Sequence, residues 1–285
     1  MLCASPSPAV AYLWEPFSLL HRPGICAAEF PYWFPYVCDE NAAPFVPPIR
    51  DMLAFRYRTG AELRVARAPK DLGRLARDRL RFARWRATRA RPLLKDPIAV
   101  FSSEWLADAF DMDVIVLIRH PAAFTNSLIR LGWDHPFDHF LKQPLLMRDV
   151  LARFEGEIRA FAADERPILD QGILLWNLIH HAILGFRERR PGWAFLRLED
   201  VALDPHARVR ELYDRLGLAF DDAAARKITE TSAAENPEAT SLSDHRRDSA
   251  ASIVAWKRRL SQRDVERIRE GVEPIAGEWY SDADW

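Results

Sequence analysis

Val114-Ile115-Val116-Leu117-Ile118-Arg119-His120-Pro121, with a hydroxyl following at Ser127, is the stretch that decides the fold. Five consecutive apolar residues, mostly β-branched, suit a strand buried on both faces of a parallel sheet. Pro121 then stands where a helix begins, because the first helical position needs no N–H. Phe124, Leu128 and Leu131 give that helix an apolar face. Arg119 thus leaves the carboxyl end of a strand directly ahead of a helix N-terminus, where unpaired N–H groups and the positive end of the dipole favour an anion. Its guanidinium adds a two-pronged donor, and Ser127 lies two turns further on. Taken alone, an Arg-x-Pro at a strand end reads more readily as an arginine that merely closes a sheet edge.

Working outward, strands and helices alternate. Ala11–Phe17 reads as a strand running into a loop at Pro16. Residues 21–48 hold Pro23, Pro31, Pro35, Pro44, Pro47 and Pro48 among aromatics and read as irregular. Residues 70–90 space Leu72, Leu75, Leu80 and Trp85 for an amphipathic helix. Residues 92–97 read as a short strand, and Ser102 or Ser103 caps a helix through Phe110. Helices are expected over 145–163 and 169–189, and a strand at 194–198. A helix over Val209–Leu216 is closed by Gly217, and the last begins at its cap Ser261. This order predicts an α/β fold, a three-layer sandwich around a mostly parallel sheet, in a single domain over 1–285.

The chain has 285 residues, 49% of them hydrophobic, enough for a full core. No apolar run reaches the roughly 18 residues of a membrane helix. The start lacks a signal-peptide pattern, and Cys3, Cys26 and Cys38 lack disulfide or metal spacing. A cytoplasmic protein without a metal is the expectation. A net charge of −1 argues against nucleic-acid binding. The charge is uneven, however: Arg50–Arg91 carries thirteen arginines and one lysine against four acids, a surplus of ten. This is either a solvated helix face or a surface that attracts an anionic partner.

The strand–Arg–Pro–helix segment resembles the 3′-phosphate-binding motif of the sulfotransferase superfamily, in which a Ser lies eight residues after the Arg, as Ser127 does after Arg119. The resemblance extends on both sides. Leu94-Lys95-Asp96-Pro97 and Phe101–Leu106 look like the strand and helix that precede the motif in bacterial members. Arg197-Leu198-Glu199-Asp200-Val201 with Asp204-Pro205 looks like its "(R)YEDL…DP" segment, with Leu198 in place of the usual aromatic. Trp256-Lys257-Arg258-Arg259-Leu260-Ser261 looks like its "WK..LS" element. The resemblance implies a fold similar to the phosphate-loop kinases and a sulfuryl transfer from 3′-phosphoadenosine 5′-phosphosulfate (PAPS) to an acceptor hydroxyl, on a small molecule or a glycan. It places Arg119 and Ser127 on the 3′-phosphate. Lys257, with Arg247 from the basic pair ahead of it, is expected to approach the same nucleotide.

Transfer needs a base for the acceptor proton. Some members use a His just after the Lys of the second strand, but here Lys95 is followed by Asp96. Tyr12-Leu13-Trp14-Glu15-Pro16-Phe17 resembles the "EP" segment of carbohydrate-type members, so Glu15 is the first candidate, Asp96 the second and His21 the third. Flanking Trp14 and Phe17 are expected to desolvate Glu15. The Gly-rich loop that grips the 5′-phosphosulfate is missing along with its strand, since the first glycine is Gly24. An upstream start is one expectation, and a non-catalytic, sulfotransferase-derived nucleotide- or anion-binding protein is the alternative. A nucleotide kinase would show a Lys-bearing phosphate loop and Mg²⁺ ligands, and neither pattern is found.

Overall fold

In the computed structural model, which describes residues 2–4, 9–232 and 249–285, the backbone is organised around two parallel strand pairs. They fall in separate compact units, Leu2–Met112 and Asp113–Trp285.

In the first unit, β1 (Val10–Trp14) pairs with β2 (Arg91–Lys95), in register from Val10 opposite Arg91 to Trp14 opposite Lys95. Alternation along β1 buries Ala11 and Leu13 and turns Tyr12 and Trp14 outward. The crossover between them holds α1 (Val46–Leu53), α2 (Thr59–Val65) and α3 (Pro69–Ala87). α4 (Ser103–Phe110) follows β2 after a 3-10 turn over Pro97–Ser102. Residues 21–45 are irregular, as their prolines predict. α1 was not anticipated: Pro47-Pro48 reads as a breaker, yet a first-turn proline gives up only an N–H that has no helical partner. Aromatic packing fills the core here, with Phe17 stacked on Phe30 at 4.3 Å and Phe30 on Phe45 at 5.5 Å between ring centroids. Ser102 does not cap the helix. Its hydroxyl accepts from the Val37 N–H at 2.9 Å and donates to the Pro35 carbonyl at 2.7 Å, pinning the proline-rich segment.

A charged cluster also lies inside this unit. Glu62 and Asp78 are almost fully buried, and both pair with the Arg22 guanidinium. Glu62 also accepts from the Gly24 N–H at 2.9 Å. A Cβ at Gly24 would lie 2.6 Å from the Tyr57 ring and 2.8 Å from Glu62, so only glycine brings the backbone this close.

In the second unit, β3 (Ile115–Ile118) pairs in parallel with β4 (Ala194–Arg197), Ile115 opposite Ala194 and Ile118 opposite Arg197. β3 is not buried on both faces, because Leu117 is 55% exposed while Ile118 is fully buried. Between the strands run α5 (Pro121–Leu131), α6 (Asp138–Leu141), α7 (Pro144–Leu146), α8 (Glu155–Ala163) and α9 (Ile168–Arg189). The single helix expected over 145–163 is instead broken: a π turn over Met147–Leu151 and a 3-10 turn over Ala152–Phe154 separate α7 from α8. After β4 come α10 (Leu198–Leu203), α11 (Pro205–Arg215), α12 (Asp222–Ser232), α13 (Ser249–Val254), α14 (Trp256–Arg259) and α15 (Gln262–Ala276). α5, α9 and α15 pack together. Gly217 ends the α11 segment at φ +62°, with Leu218 N–H bonded to the Tyr213 carbonyl at 2.8 Å. Ser261 caps α15 by accepting from the Asp264 N–H at 3.2 Å. Parallel strands joined through helices give the α/β class read from the sequence. No described helix is long and apolar enough to cross a membrane.

Candidate active site

In the second unit, the candidate anion-binding residues gather where β3 ends. Arg119 emerges there half-buried, and its carbonyl accepts from the Trp176 indole at 3.0 Å. The next residue is held from two directions. The His120 N–H donates to Glu199 Oε1 at 3.0 Å, and the His120 ring caps α5 by accepting from the Ala122 N–H at 3.2 Å. The expected open helix N-terminus is therefore partly closed, since Pro121 has no N–H and that of Ala122 is already used. The groups there that suit an anion are the Arg119 guanidinium and the hydroxyl of Ser127. Ser127 is half-buried on α5 and makes no side-chain hydrogen bond among the described residues.

Glu199 anchors this junction. It is 9% exposed, and its second oxygen accepts from the Tyr280 hydroxyl at 2.9 Å. Burial, and then the adjacent Glu199 carboxylate, push the Tyr280 phenol upward, so it remains a donor. The His120 ring stacks on Trp256 at 4.8 Å and meets Tyr280 and Trp285 edge-on at 4.8 and 4.5 Å. This burial lowers its pKa to about 3, which keeps the imidazole neutral. Arg197 pairs with Asp284, lies 4.6 Å over the Tyr280 ring and donates to the Trp279 carbonyl at 3.3 Å. Residues 279–285 are thereby strapped across the end of β4.

Lys257 lies in the same unit, on α14. Its ammonium donates to the Trp285 main-chain oxygen at 2.7 Å and sits 5.1 Å over the Trp256 ring. A nucleotide approaching Lys257 meets an ammonium already engaged by the chain's last residue. Arg247 lies outside the described residues.

A separate group of candidate carboxylates stands in the first unit, at the carboxyl ends of β1 and β2. The Glu15 N–H extends the ladder by one bond, to the Lys95 carbonyl at 3.0 Å, and the Glu15 carboxylate pairs with the Lys95 ammonium. The apolar setting expected for Glu15 is not what surrounds it, since Trp14 is 56% exposed and a cation faces the carboxylate. Glu15 has φ +44°, a left-handed backbone that costs a non-glycine residue energy.

Asp96 is tied differently. One oxygen accepts from the Phe17 N–H at 2.7 Å and the other from the Ile98 N–H at 3.0 Å. Burial raises its pKa to about 6 against the pull of those two N–H groups. Asp96 is a structural clip between the strand end and the Glu15 turn, whereas Glu15 carries the more accessible oxygens. The His21 ring donates to the Ser18 carbonyl at 2.7 Å, which occupies one nitrogen. The three cysteines are free thiols, and burial pushes Cys26 up to about 11. No cluster of three or more His, Cys, Asp or Glu side chains with metal-binding geometry occurs among the described residues.

Of the residues singled out from sequence, Arg119, Ser127 and Lys257 share one unit and Glu15, Asp96 and His21 the other. Sequence reasoning did not single out His120, Tyr280 or Trp285, and it read Glu199 as an ordinary pairing residue. Their roles follow from hydrogen bonds between residues 28 to 81 apart in sequence, although the cluster Trp279-Tyr280 with Trp285 was a visible signal.

Over 207 residues, which are 64% of this chain and 40% of the relative, the sequence is 30% identical to carbohydrate sulfotransferase 7 of Mus musculus. The chain thus spans less than half the length of that curated relative. No family model matches. Among solved structures, the sulfotransferase domain from the curacin biosynthetic pathway is similar over 78% of each chain, at 14% identity and a TM-score of 0.41. The resemblance to the sulfotransferase superfamily read from the sequence is borne out by the curated relative.

Proposed function

We propose that this sulfotransferase-like chain transfers a sulfuryl group from PAPS to an acceptor hydroxyl, with a glycan among the acceptors. The observation that carries the reading is the β3–α5 junction, where Arg119 leaves the strand end and an unengaged Ser127 hydroxyl follows two turns later on α5. The Arg119 fork and Ser127 would donate to the 3′-phosphate of the donor. Glu199 and Trp176 together hold the peptide that joins Arg119 to His120, which limits the ordering entropy of binding. Lys257 would add a third cation once it exchanges the Trp285 oxygen for the nucleotide.

Glu15 would take the acceptor proton. As the acceptor oxygen bonds to sulfur, the bond from sulfur to the 5′-phosphate oxygen breaks, and adenosine 3′,5′-bisphosphate departs. Lys95 would steady the Glu15 carboxylate for this step. The engaged state of Lys257 favours a second reading, a nucleotide-binding protein without transfer activity. Calorimetry with adenosine 3′,5′-bisphosphate, run beside a labelled-donor transfer assay, separates the two. Binding that depends on Arg119 supports both readings, and transfer that depends on Glu15 supports only the first. An Arg119→Ala protein that binds the nucleotide as tightly as the unaltered one overturns the assignment.

A further inference from the structure

We propose that α3 docks on an anionic lipid bilayer, lying in the headgroup plane rather than crossing it. The helix is 19 residues long, about 28 Å at 1.5 Å per residue. One face holds it to the protein, through buried Leu75, Asp78 and Phe82. At 100° per residue a second apolar band, about 80° wide, is formed by Leu72, Ala76, Leu80, Ala83 and Ala87. All five are exposed, Leu72 at 52% and Leu80 at 71%. Cations border the band on both sides: Arg79 and Arg86 along one edge, Arg77 and Arg84 along the other.

The charges are available. Among the described residues, the side chains of Lys70, Arg79, Arg84 and Arg86 make no ion pair, while Arg74, Arg77 and Arg81 approach Asp71 and Asp78. Beside Arg79 and Arg86, an open cleft of about 740 Å³ is lined also by Arg56, Phe55 and Tyr57, wide enough to receive a phosphate headgroup. The packed neighbour α2 adds exposed Leu63 and Val65.

Charge complementarity selects an anionic partner, and the leucines narrow the choice. A hydrated polyanion, such as a sulfated or acidic glycan, neutralises arginines but gives Leu72 and Leu80 nothing to bury against. A bilayer supplies both phosphates and an apolar interior a few ångströms below them. This is the arrangement of an interfacial helix, apolar in a narrow band with arginines that reach up to the headgroups.

The test is sedimentation of the full chain with vesicles of phosphatidylcholine alone or mixed with phosphatidylserine. Binding is expected only to the mixed vesicles and should weaken with salt. The exposed double variant Leu72→Gln/Leu80→Gln should keep the unaltered melting temperature and lose on the order of tenfold to a hundredfold in vesicle affinity. Arg79→Gln/Arg86→Gln should lose at least about tenfold, the expected result of two missing headgroup contacts. In a Leu80→Trp protein, tryptophan emission should shift blue on vesicle addition. Failure to bind mixed vesicles would refute the proposal. So would binding indifferent to the leucine substitutions, or tight capture by heparin with no vesicle binding, since these mark simple attraction to a polyanion.

Discussion

Replacing Glu199 tests the construction of the β3–α5 junction. Its two oxygens accept from the His120 N–H at 3.0 Å and the Tyr280 hydroxyl at 2.9 Å, and all three residues are buried. Glu199→Leu keeps side-chain volume but strands both donors. A buried donor left without a partner costs about 1–3 kcal/mol, so the pair should cost about 2–6 kcal/mol. Domains of ordinary stability hold about 5–15 kcal/mol in total, so this protein should unfold at markedly lower urea. Glu199→Gln can still accept one of the two bonds, and about half the loss is expected. Tyr280→Phe removes one donor and leaves one Glu199 oxygen without its partner, a single stranded group, so it should be milder than Glu199→Leu. The cycle of Glu199→Gln and Tyr280→Phe should show a coupling between about 0.5 and 3 kcal/mol, the range for residues in one network. The assay is urea denaturation followed by tryptophan fluorescence, paired with calorimetry for adenosine 3′,5′-bisphosphate. Affinity should fall with stability, because the same carboxylate holds the backbone from which Arg119 projects. A Glu199→Leu protein within about 0.5 kcal/mol of the unaltered one would show that the junction does not depend on this bridge.

Arg119→Ala should lose about 1.5–3 kcal/mol in calorimetry with adenosine 3′,5′-bisphosphate, the range for a charged hydrogen bond. Glu15→Gln should lower transfer by about 10²–10⁴ with nucleotide affinity intact, and near-normal turnover would pass the role to Asp96. Asp96 should also shape stability against pH. Its folded pKa lies near 6 against 3.8 for the free group, so the folded state holds the extra proton. Its contribution is fully present below about pH 4 and is lost as pH rises through about 6. A melting-temperature profile of Asp96→Asn should lack that decline, and an unchanged profile would count against it. Arg22→Ala leaves buried Glu62 without its cation, while Asp78 keeps Arg81 at 3.1 Å, and should cost about 3–5 kcal/mol in denaturant melts; a loss below about 1 kcal/mol would show that water reaches Glu62.

The parts of the fold that follow from local rules were legible in the sequence. The strand at Ile115–Ile118, the helix opened by Pro121, the Gly217 stop and the Ser261 cap each depend on a few adjacent residues. The π turn at Met147–Leu151 was not legible, because a change of helical pitch leaves the apolar spacing nearly unaltered. The site divides the same way. Arg119 and Glu15 stand out as candidates through their neighbours in sequence. The Glu199–Tyr280 bridge depends on a separation of 81 residues, and the Lys257–Trp285 bond on one of 28, which no local pattern encodes.

The backbone at Glu15 sets up a conflict between two selective demands. At φ +44° an L-residue is strained by about 1–2 kcal/mol, and glycine would be relaxed there. A lineage optimising robustness alone would drift toward glycine at this position. Glu15→Gly should raise the melting temperature slightly even though it deletes the ion pair with Lys95, because a pair this exposed contributes little. If the same change abolishes transfer, this position trades folding stability for turnover, and a library screened for heat resistance alone would recover an inert protein.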